Sequence, residues 1–425
     1  MSTPTVLPET AVELAHFVRP GDRIVVGQAC GEPTTLLEAL IAQGRDIGGL
    51  SVFVATSFSG IFTPSATDSF ALSSMGAIGT LRTLAKEHRL AVVPCHVSRV
   101  GPMIEAGILG CEVAFVQVSP ADADGNHSLG LISDHVLAAV ASARVVVAEV
   151  NDQVPFTLGE RLPAARIDYA VHVSRPPVEV PPARISETDT AIATFAAAYI
   201  EDGAVVQTGV GAVPDALLRQ LHDRRNLGVH SGMIGDGLVD LAEAGVVTNA
   251  CKRIDAGVSI TGALIGTRRL YDFAHRNPEI RMCTTDYTHN PAVLAQLDNL
   301  VTLNSAMEVD LTGQVNAEQS GSAYLGGTGG QVDFVRAGAN SPGGHAVIAL
   351  PATAKGGTIS RITATLSGPV TTARSDVDIV VTEFGAAELR GQNLAERTRR
   401  LIAIAHPDFR EDLDRAAHTI QQRGF

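Results

Sequence analysis

PGDRIVVGQACGEPTTLLEAL (Pro20–Leu40) and EDGAVVQTGVGAVPDALLRQL (Glu201–Leu221) can be laid one on the other, and their shared pattern decides the fold. Each has a glycine-containing lead-in, a β-branched stretch, a turn of small residues, a proline, and a helix with paired leucines. Pro33 falls on Pro214, Leu36 and Leu37 on Leu217 and Leu218, and Leu40 on Leu221. A strand that turns directly into a helix is the front of a βαβ unit. Two ordinary units converge on such a pattern as readily as a duplication produces it. Either origin leads to two α/β halves with similar openings.

Working outward, short apolar runs alternate with helical patterns. Arg23–Gly27, Leu50–Ala55, Leu90–Pro94, Val113–Val118 and Arg144–Val150 read as strands, and Thr34–Ala42 places Leu36, Leu37, Leu40 and Ile41 on one helical face. After a restart, Ala204–Gln207, Leu227–His230, Ala263–Gly266, Leu300–Leu303, Ala346–Leu350 and Val377–Val381 read the same way. Strands alternating with helices predict parallel sheets. Between the halves lies Arg175-Pro-Pro-Val-Glu-Val-Pro-Pro182, where proline fixes φ and restricts its predecessor. We therefore expect an N-terminal domain over residues 1–174, an extended linker over 175–186 and a C-terminal domain over 187–425. Leu413, Ala416, Ala417 and Ile420 then step by three and four, which predicts a closing helix after Pro407.

Composition removes several classes. The length of 425 residues suits two or three domains. A net charge of −13 and only 13 Phe, 5 Tyr and no Trp argue against nucleic acid, whose phosphates need concentrated cations and whose bases need stacking platforms. A small anionic ligand is compatible, since one pocket can oppose the global charge. The 5 cysteines form no CxxC pair, so neither a disulfide framework nor a zinc site is indicated, and no metal is expected. No signal-peptide pattern and no membrane-length apolar run occurs; Arg144 breaks the stretch from Val136 to Val150. A cytoplasmic protein is expected.

The densest glycine run is Gly326-Gly-Thr-Gly-Gly330, followed by Ser341-Pro-Gly-Gly-His345 and Ala354-Lys-Gly-Gly-Thr358. Such runs can converge backbone N–H groups on an anion, or can simply be tight turns. Thr208-Gly-Val-Gly-Ala-Val-Pro214 leads a strand into a helix, a place for a phosphate. Pro214 takes the third site of a dinucleotide fingerprint, and no acidic residue follows at the expected distance, so nicotinamide binding is disfavoured. His88, His96, His127 and His135 show no metal-ligand spacing. Cys95 and His96 point to opposite faces if they share a strand, and no G-x-S-x-G elbow exists.

Taken together, Gly209–Ala216, Met233–Leu241, Asn304-Ser-Ala-Met-Glu-Val-Asp-Leu-Thr-Gly-Gln-Val-Asn316, the glycine run through Phe334, Ala405–Phe409, Gln117–Gly130 and Glu149-Val-Asn151 resemble the acetyl-CoA hydrolase/transferase family, in order and over nearly the whole chain. Typical members are 4-hydroxybutyrate and acetate CoA-transferases. The resemblance implies the CoA-transferase fold, two open parallel-sheet α/β domains of similar build. It also implies an acyl-CoA and a small carboxylate as substrates, no permanently bound cofactor, and a homo-oligomer, expected as a dimer. It places CoA against Gln207, Thr208, Gly209, Val210, Gly211, Gly326 and Gly330, with Lys355 facing it. In the family a glutamate attacks the acyl-CoA and carries CoA as a glutamyl thioester.

Here the chain departs. The family reads His-Thr-Glu-Met, this chain His230-Ser-Gly-Met233, so Gly232 stands at the nucleophile's position. Three readings follow. Another carboxylate reaches the same point, with Glu32 and Glu105 as candidates. A water enters and a carboxylate acts as base for acyl-CoA hydrolysis. Or the chain binds CoA esters without turnover. Asp236 and His230 remain from the motif, and an Asp in a glycine-rich turn also serves local hydrogen bonding.

Overall fold

The computed structural model describes residues 4–9 and 12–422. Its first sheet has 8 parallel strands in the order Thr5–Leu7, Tyr169–Val173, Val145–Asn151, Val113–Val118, Arg23–Val26, Ser51–Phe53, Ala71–Ser74 and Ala91–Val92. From Arg23–Val26 the chain runs outward along one side, then returns to Val113–Val118 on the other, so the strand order reverses between these two. The second sheet has 6 strands in the order Gly228–Val229, Val205–Thr208, Leu300–Ser305, His345–Ala349, Ile379–Thr382 and Gly385–Glu388. The last is an antiparallel edge; the others are parallel, and the order reverses between Val205–Thr208 and Leu300–Ser305. The two laid-over segments thus supply the strand at the reversal point of each sheet.

Both strands feed a helix, Thr34–Ile47 and Ala212–Gln220. The aligned prolines take adjacent roles. Pro33 precedes its helix, and Pro214 lies within the first turn of its own, where a missing N–H leaves no helical bond unmade.

Strands that read as continuous apolar runs separate cleanly into two faces, because successive side chains point to opposite sides. Ile24, Val26, Val113 and Phe115 join Leu36, Leu37 and Leu40 on one face of the first sheet. Val25, Ala114, Val116 and Val118 point the other way, into a core that also holds Val206, Leu303, Val347 and Val381 of the second sheet. Ala346, Ile348 and Val380 pack outward against Leu401 and Ile402 of the helix Leu394–Ala403. The halves therefore share one central apolar layer. The closing helix runs Pro407–Gln422.

Residues 174–186 carry no helix or strand, as the prolines require, yet they are tied down. Val180 N donates to Gly266 O at 2.8 Å, and Tyr271 Oη donates to Val178 O at 2.6 Å. Residues 230–290, between the first two strands of the second sheet and its third, form short ladders that reach back to the first half. Bridges join Ile132 to Ala263, Asp134 to Thr284 and Gly159 to Met282. Among the described residues no helix is long and apolar enough to cross a membrane.

One buried carboxylate explains part of the family resemblance. Glu149 Oε2 accepts from the N–H groups of Thr35 at 2.7 Å and Leu36 at 3.3 Å, capping the helix Thr34–Ile47 from a neighbouring strand. Burial pushes its pKa up to about 7. Glu149→Ala leaves those amides unpaired and should destabilise the fold by about 1–3 kcal/mol. Glu149→Gln, which keeps an acceptor oxygen, should recover most of that loss in a thermal melt.

Candidate active site

The C-terminal ends of the parallel strands of both sheets open onto one cleft of about 330 Å³. Gln28 and Thr56 follow strands of the first sheet, and Thr208 and Ser305 end strands of the second. Each sheet contributes its strand-reversal point, the place where open α/β sheets bind ligands. Asn304 Nδ2 donates to Gln207 Oε1 at 3.2 Å, joining the two strands at the second reversal. The walls are largely apolar, with Phe58, Ile78, Ile132, Met233, Ile265 and Phe334 among them. Arg82, which donates from Nε to Leu325 O at 2.8 Å, is the one cation among the described lining residues.

The glycine run closes this cleft. Gly327 bridges to Gly76 and Gly329 to His96, with Ala77 N donating to Gly326 O at 2.7 Å and Val97 N to Gly329 O at 2.9 Å. A Cβ on Gly76 would stand 2.6 Å from Gly326 O and 2.7 Å from Gly327 Cα. These glycines exist because two backbones touch. The Gly326 N–H is already committed to Glu318 O at 3.0 Å, so it is not a free donor for a ligand. Gly330 is the N-cap of the helix Gln331–Asn340, whose first-turn amides start on the cleft wall.

Gly232 also lines the cleft, and its missing side chain is replaced by a ring. A Cβ there would lie 2.6 Å from His289 Cε1 and 2.8 Å from its Nε2, and a Cβ on Gly330 2.5 Å from the same Nε2. His289 is wedged between two glycines, its Nδ1 paired with Thr288 Oγ1 at 2.8 Å. Burial, aided by nearby His230, holds its pKa down to about 3, so the imidazole is neutral. His230 is buried behind it, its Nε2 3.1 Å from Thr288 O, with its pKa lowered to about 4, chiefly by burial.

Asp134 is the one carboxylate among the described lining residues. It accepts a hydrogen bond from Gln28 Nε2, and its other oxygen lies against Gly262, where only glycine leaves room for it. Gly262 N donates to Gly232 O at 3.2 Å, and Ser133 N donates to Gly262 O at 2.8 Å. Asp134 thus sits one backbone crossing from Gly232. Burial pushes its carboxyl up to about 7. The sequence carries no flag for it: Ile132-Ser-Asp-His-Val136 has no motif spacing, and only the fold brings it to the second half.

Residues 8–182 match the N-terminal domain of the acetyl-CoA hydrolase/transferase family, and residues 266–417 match its C-terminal domain. The chain belongs to this family. It is similar to a 4-hydroxybutyrate coenzyme A transferase of Clostridium kluyveri, 40% identical over 409 residues and 95% of each chain. Crystalline RipA from Yersinia pestis is 34% identical, covering 98% of this chain and 97% of that one, with a TM-score of 0.91. An acetyl-CoA hydrolase of Kluyveromyces lactis matches at 30% over 50% of this chain and 41% of its own. The family is one of CoA-thioester enzymes, and the CoA-transferases match this chain over far more of its length than the hydrolases do.

Of the expected CoA contacts, Gln207, Thr208, Gly209, Val210, Gly326 and Gly330 line the cleft. Gly211 instead caps the helix Ala212–Gln220 with φ +127°, a backbone conformation that favours glycine. Lys355 sits exposed in the turn between Thr353–Ala354 and Ile359–Ser360 and does not line the cleft, contrary to its expected place; Arg82 does. Both substitute carboxylates are also corrected. Glu32 is buried, with its carboxylate accepting from Ser57 Oγ at 2.6 Å and from the amides of Phe58 and Ser59 at 3.0 and 2.9 Å, so it anchors a loop. Glu105 is exposed near Arg23 and Glu112, at the N-terminal end of the first sheet, opposite the cleft. Asp236 accepts from Thr267 N at 3.0 Å and Oγ1 at 2.8 Å, which is the local bonding expected of it. Among the described residues no group of three or more His, Cys, Asp or Glu is placed to hold a metal ion.

Two outcomes follow for Gly232 and Asp134. Gly232→Ala should cost about 1–3 kcal/mol through collision with His289, and adding His289→Ala should return part of it, read as non-additivity in melts. For Asp134, burial raises the folded pKa to about 7, above the ordinary carboxylate value of 3.8, so the native state holds the proton longer than the unfolded chain. Its contribution to stability therefore falls as pH rises from about 4 to about 7. Asp134→Asn should stabilise the fold at pH 8 relative to wild type and remove that decline.

Proposed function

We propose that this chain exchanges CoA between an acyl-CoA and a small carboxylate, with both reacting groups held in the interdomain cleft. The observation that carries this is the cleft itself, an apolar chamber at the reversal points of both sheets with Gly232 on its wall. The acyl chain and pantetheine arm suit the apolar walls. The strand end and turn from Gln207 to Gly211, the backbone at Gly326 and Gly330, and the first turn of Gln331–Asn340 line the path for the rest of CoA. Arg82 takes the role expected of Lys355 toward the phosphates. Whole-length likeness to CoA-transferases supports carboxylate as the acceptor.

A second reading, hydrolysis, is favoured by Gly232, which leaves no glutamate to carry CoA at that position. The two part in one assay. Purified protein is incubated with acetyl-, propionyl- and butyryl-CoA, each with and without an unrelated carboxylate, and the CoA esters are followed by chromatography. New ester formation that requires the acceptor supports transfer. Release of free CoA at a rate indifferent to the acceptor replaces it with hydrolysis, and tight CoA-ester binding with no turnover overturns both. The expected dimer is read in the same preparation by light scattering.

A further inference from the structure

The site holds a neutral imidazole where the family's nucleophile would project, and it holds a carboxylate one backbone crossing away. We propose that the catalytic carboxylate of this chain is Asp134, which attacks the acyl-CoA and carries CoA as an aspartyl thioester. This rests on the reading of the cleft as an acyl-CoA site.

Three independent placements converge on the assignment. Asp134 is the one carboxylate among the described residues that line the cleft, whereas Glu32 and Glu149 are spent on backbone amides and Glu105 lies at the far end of the sheet. It reaches the position from the other half of the molecule. The bridges of Ile132 to Ala263 and Asp134 to Thr284, with Thr285 N donating to Asp134 O at 3.0 Å, lay its backbone against the segments next to Gly232, and Gly262 N in turn donates to Gly232 O at 3.2 Å. Finally, it is held without a countercharge. Gln28 Nε2 is its side-chain partner, Gln28 Oε1 is buried with no partner of its own, and among the described residues no guanidinium or ammonium is paired with the carboxylate. Gln28 is a positioning residue in this scheme. It follows the strand Arg23–Val26 at the reversal point of the first sheet, so each sheet supplies part of the apparatus.

The chemistry balances on one carboxylate. An Asp134 oxygen donates an electron pair to the thioester carbonyl carbon, the C–S bond breaks, and CoA leaves as thiolate, giving an acyl-aspartyl anhydride. The thiolate then attacks the aspartyl carbonyl of that anhydride. The acid leaves as its carboxylate, and CoA remains on Asp134 as a thioester. An incoming carboxylate attacks that thioester and the same two steps run backward, returning Asp134 as a free carboxylate. No proton, oxidant or reductant is consumed, as required of an exchange between two carboxylates.

The experiment traps the intermediate. Wild-type protein is incubated with acetyl-CoA without acceptor, quenched in acid, weighed intact, and digested for peptide mapping. The expected result is a CoA adduct on the peptide holding Asp134, discharged when the acceptor carboxylate is added. Asp134→Asn, which the burial of the group predicts to be well folded, should show no adduct and a transfer rate lower by more than about 10³-fold. Gln28→Ala should slow adduct formation while leaving its site unchanged. An adduct on another residue, transfer retained in Asp134→Asn, or turnover by the wild type with no adduct overturns the assignment while leaving the acyl-CoA reading intact. Failure of the wild type to turn over any acyl-CoA removes the cleft reading, and the role of Asp134 falls with it.

Discussion

The structure depends on two backbones in contact. At Gly76, in the loop after a strand of the first sheet, and Gly327, in the connection between two strands of the second, the backbones approach so closely that a single methyl group would strike a carbonyl oxygen or a Cα. Hydrogen bonds from Ala77 and Val97 to carbonyls of the glycine run hold this seam, and the shared apolar layer behind it fixes the sheets relative to one another. With the seam in place, the strand-reversal points of both sheets face a common space, and Gln28, Asp134, Gln207 and Asn304 become neighbours across more than 270 residues of chain. A site built this way is set by strand ends together with connecting segments that backbone bridges tie down, which suits a reaction whose steps need close placement of the reacting atoms.

Within that space, charge is scarce and costly. Asp134, His289 and His230 are all buried, and burial acts on each in the direction that removes charge, raising the carboxyl and lowering the imidazoles. The two imidazoles are therefore neutral at physiological pH, while Asp134, raised only to about 7, remains partly ionised, in a protein whose net charge is −13. An anionic thioester substrate meets few fixed negative charges there, and Arg82 stands at the lining as its counterpart.

The motifs that carry the family resemblance turn out to be largely architectural. In Asn304–Asn316, the Asp310 carboxylate accepts from Thr312 N and Gln314 N at 2.9 and 3.0 Å, and Glu308 accepts from Asn316 Nδ2 at 2.9 Å, which folds a tight hairpin. That hairpin leads to Ala317 and Glu318, whose carbonyls pack against or bond Gly326 and so present the glycine run to the other half. In Gln117–Gly130, Asp122 closes a turn and His127 Nδ1 pairs with Ser119 O at 2.7 Å. Such residues are legible because local hydrogen bonding demands a fixed side chain at a fixed spacing. Glu32 and Glu105 were eligible only by residue type, and burial with three donors or exposure at the wrong sheet end disposes of each.

Legible in the chain alone were the parallel sheets, the strand that opens each reversal point, the proline-rich segment that carries no helix or strand, the family, and the bare backbone at Gly232. All of these rest on local periodicity, on backbone chemistry, or on a residue that has no side chain. Tertiary structure alone decided that the glycine run is a seam between backbones, that His289 fills the space beside Gly232, and that Asp134 is the carboxylate brought to it. Those facts depend on contacts between segments far apart in the chain, 57 residues for Gly232 and His289 and 251 for Gly76 and Gly327, and no spacing along the chain encodes which buried acid will be left facing the cleft.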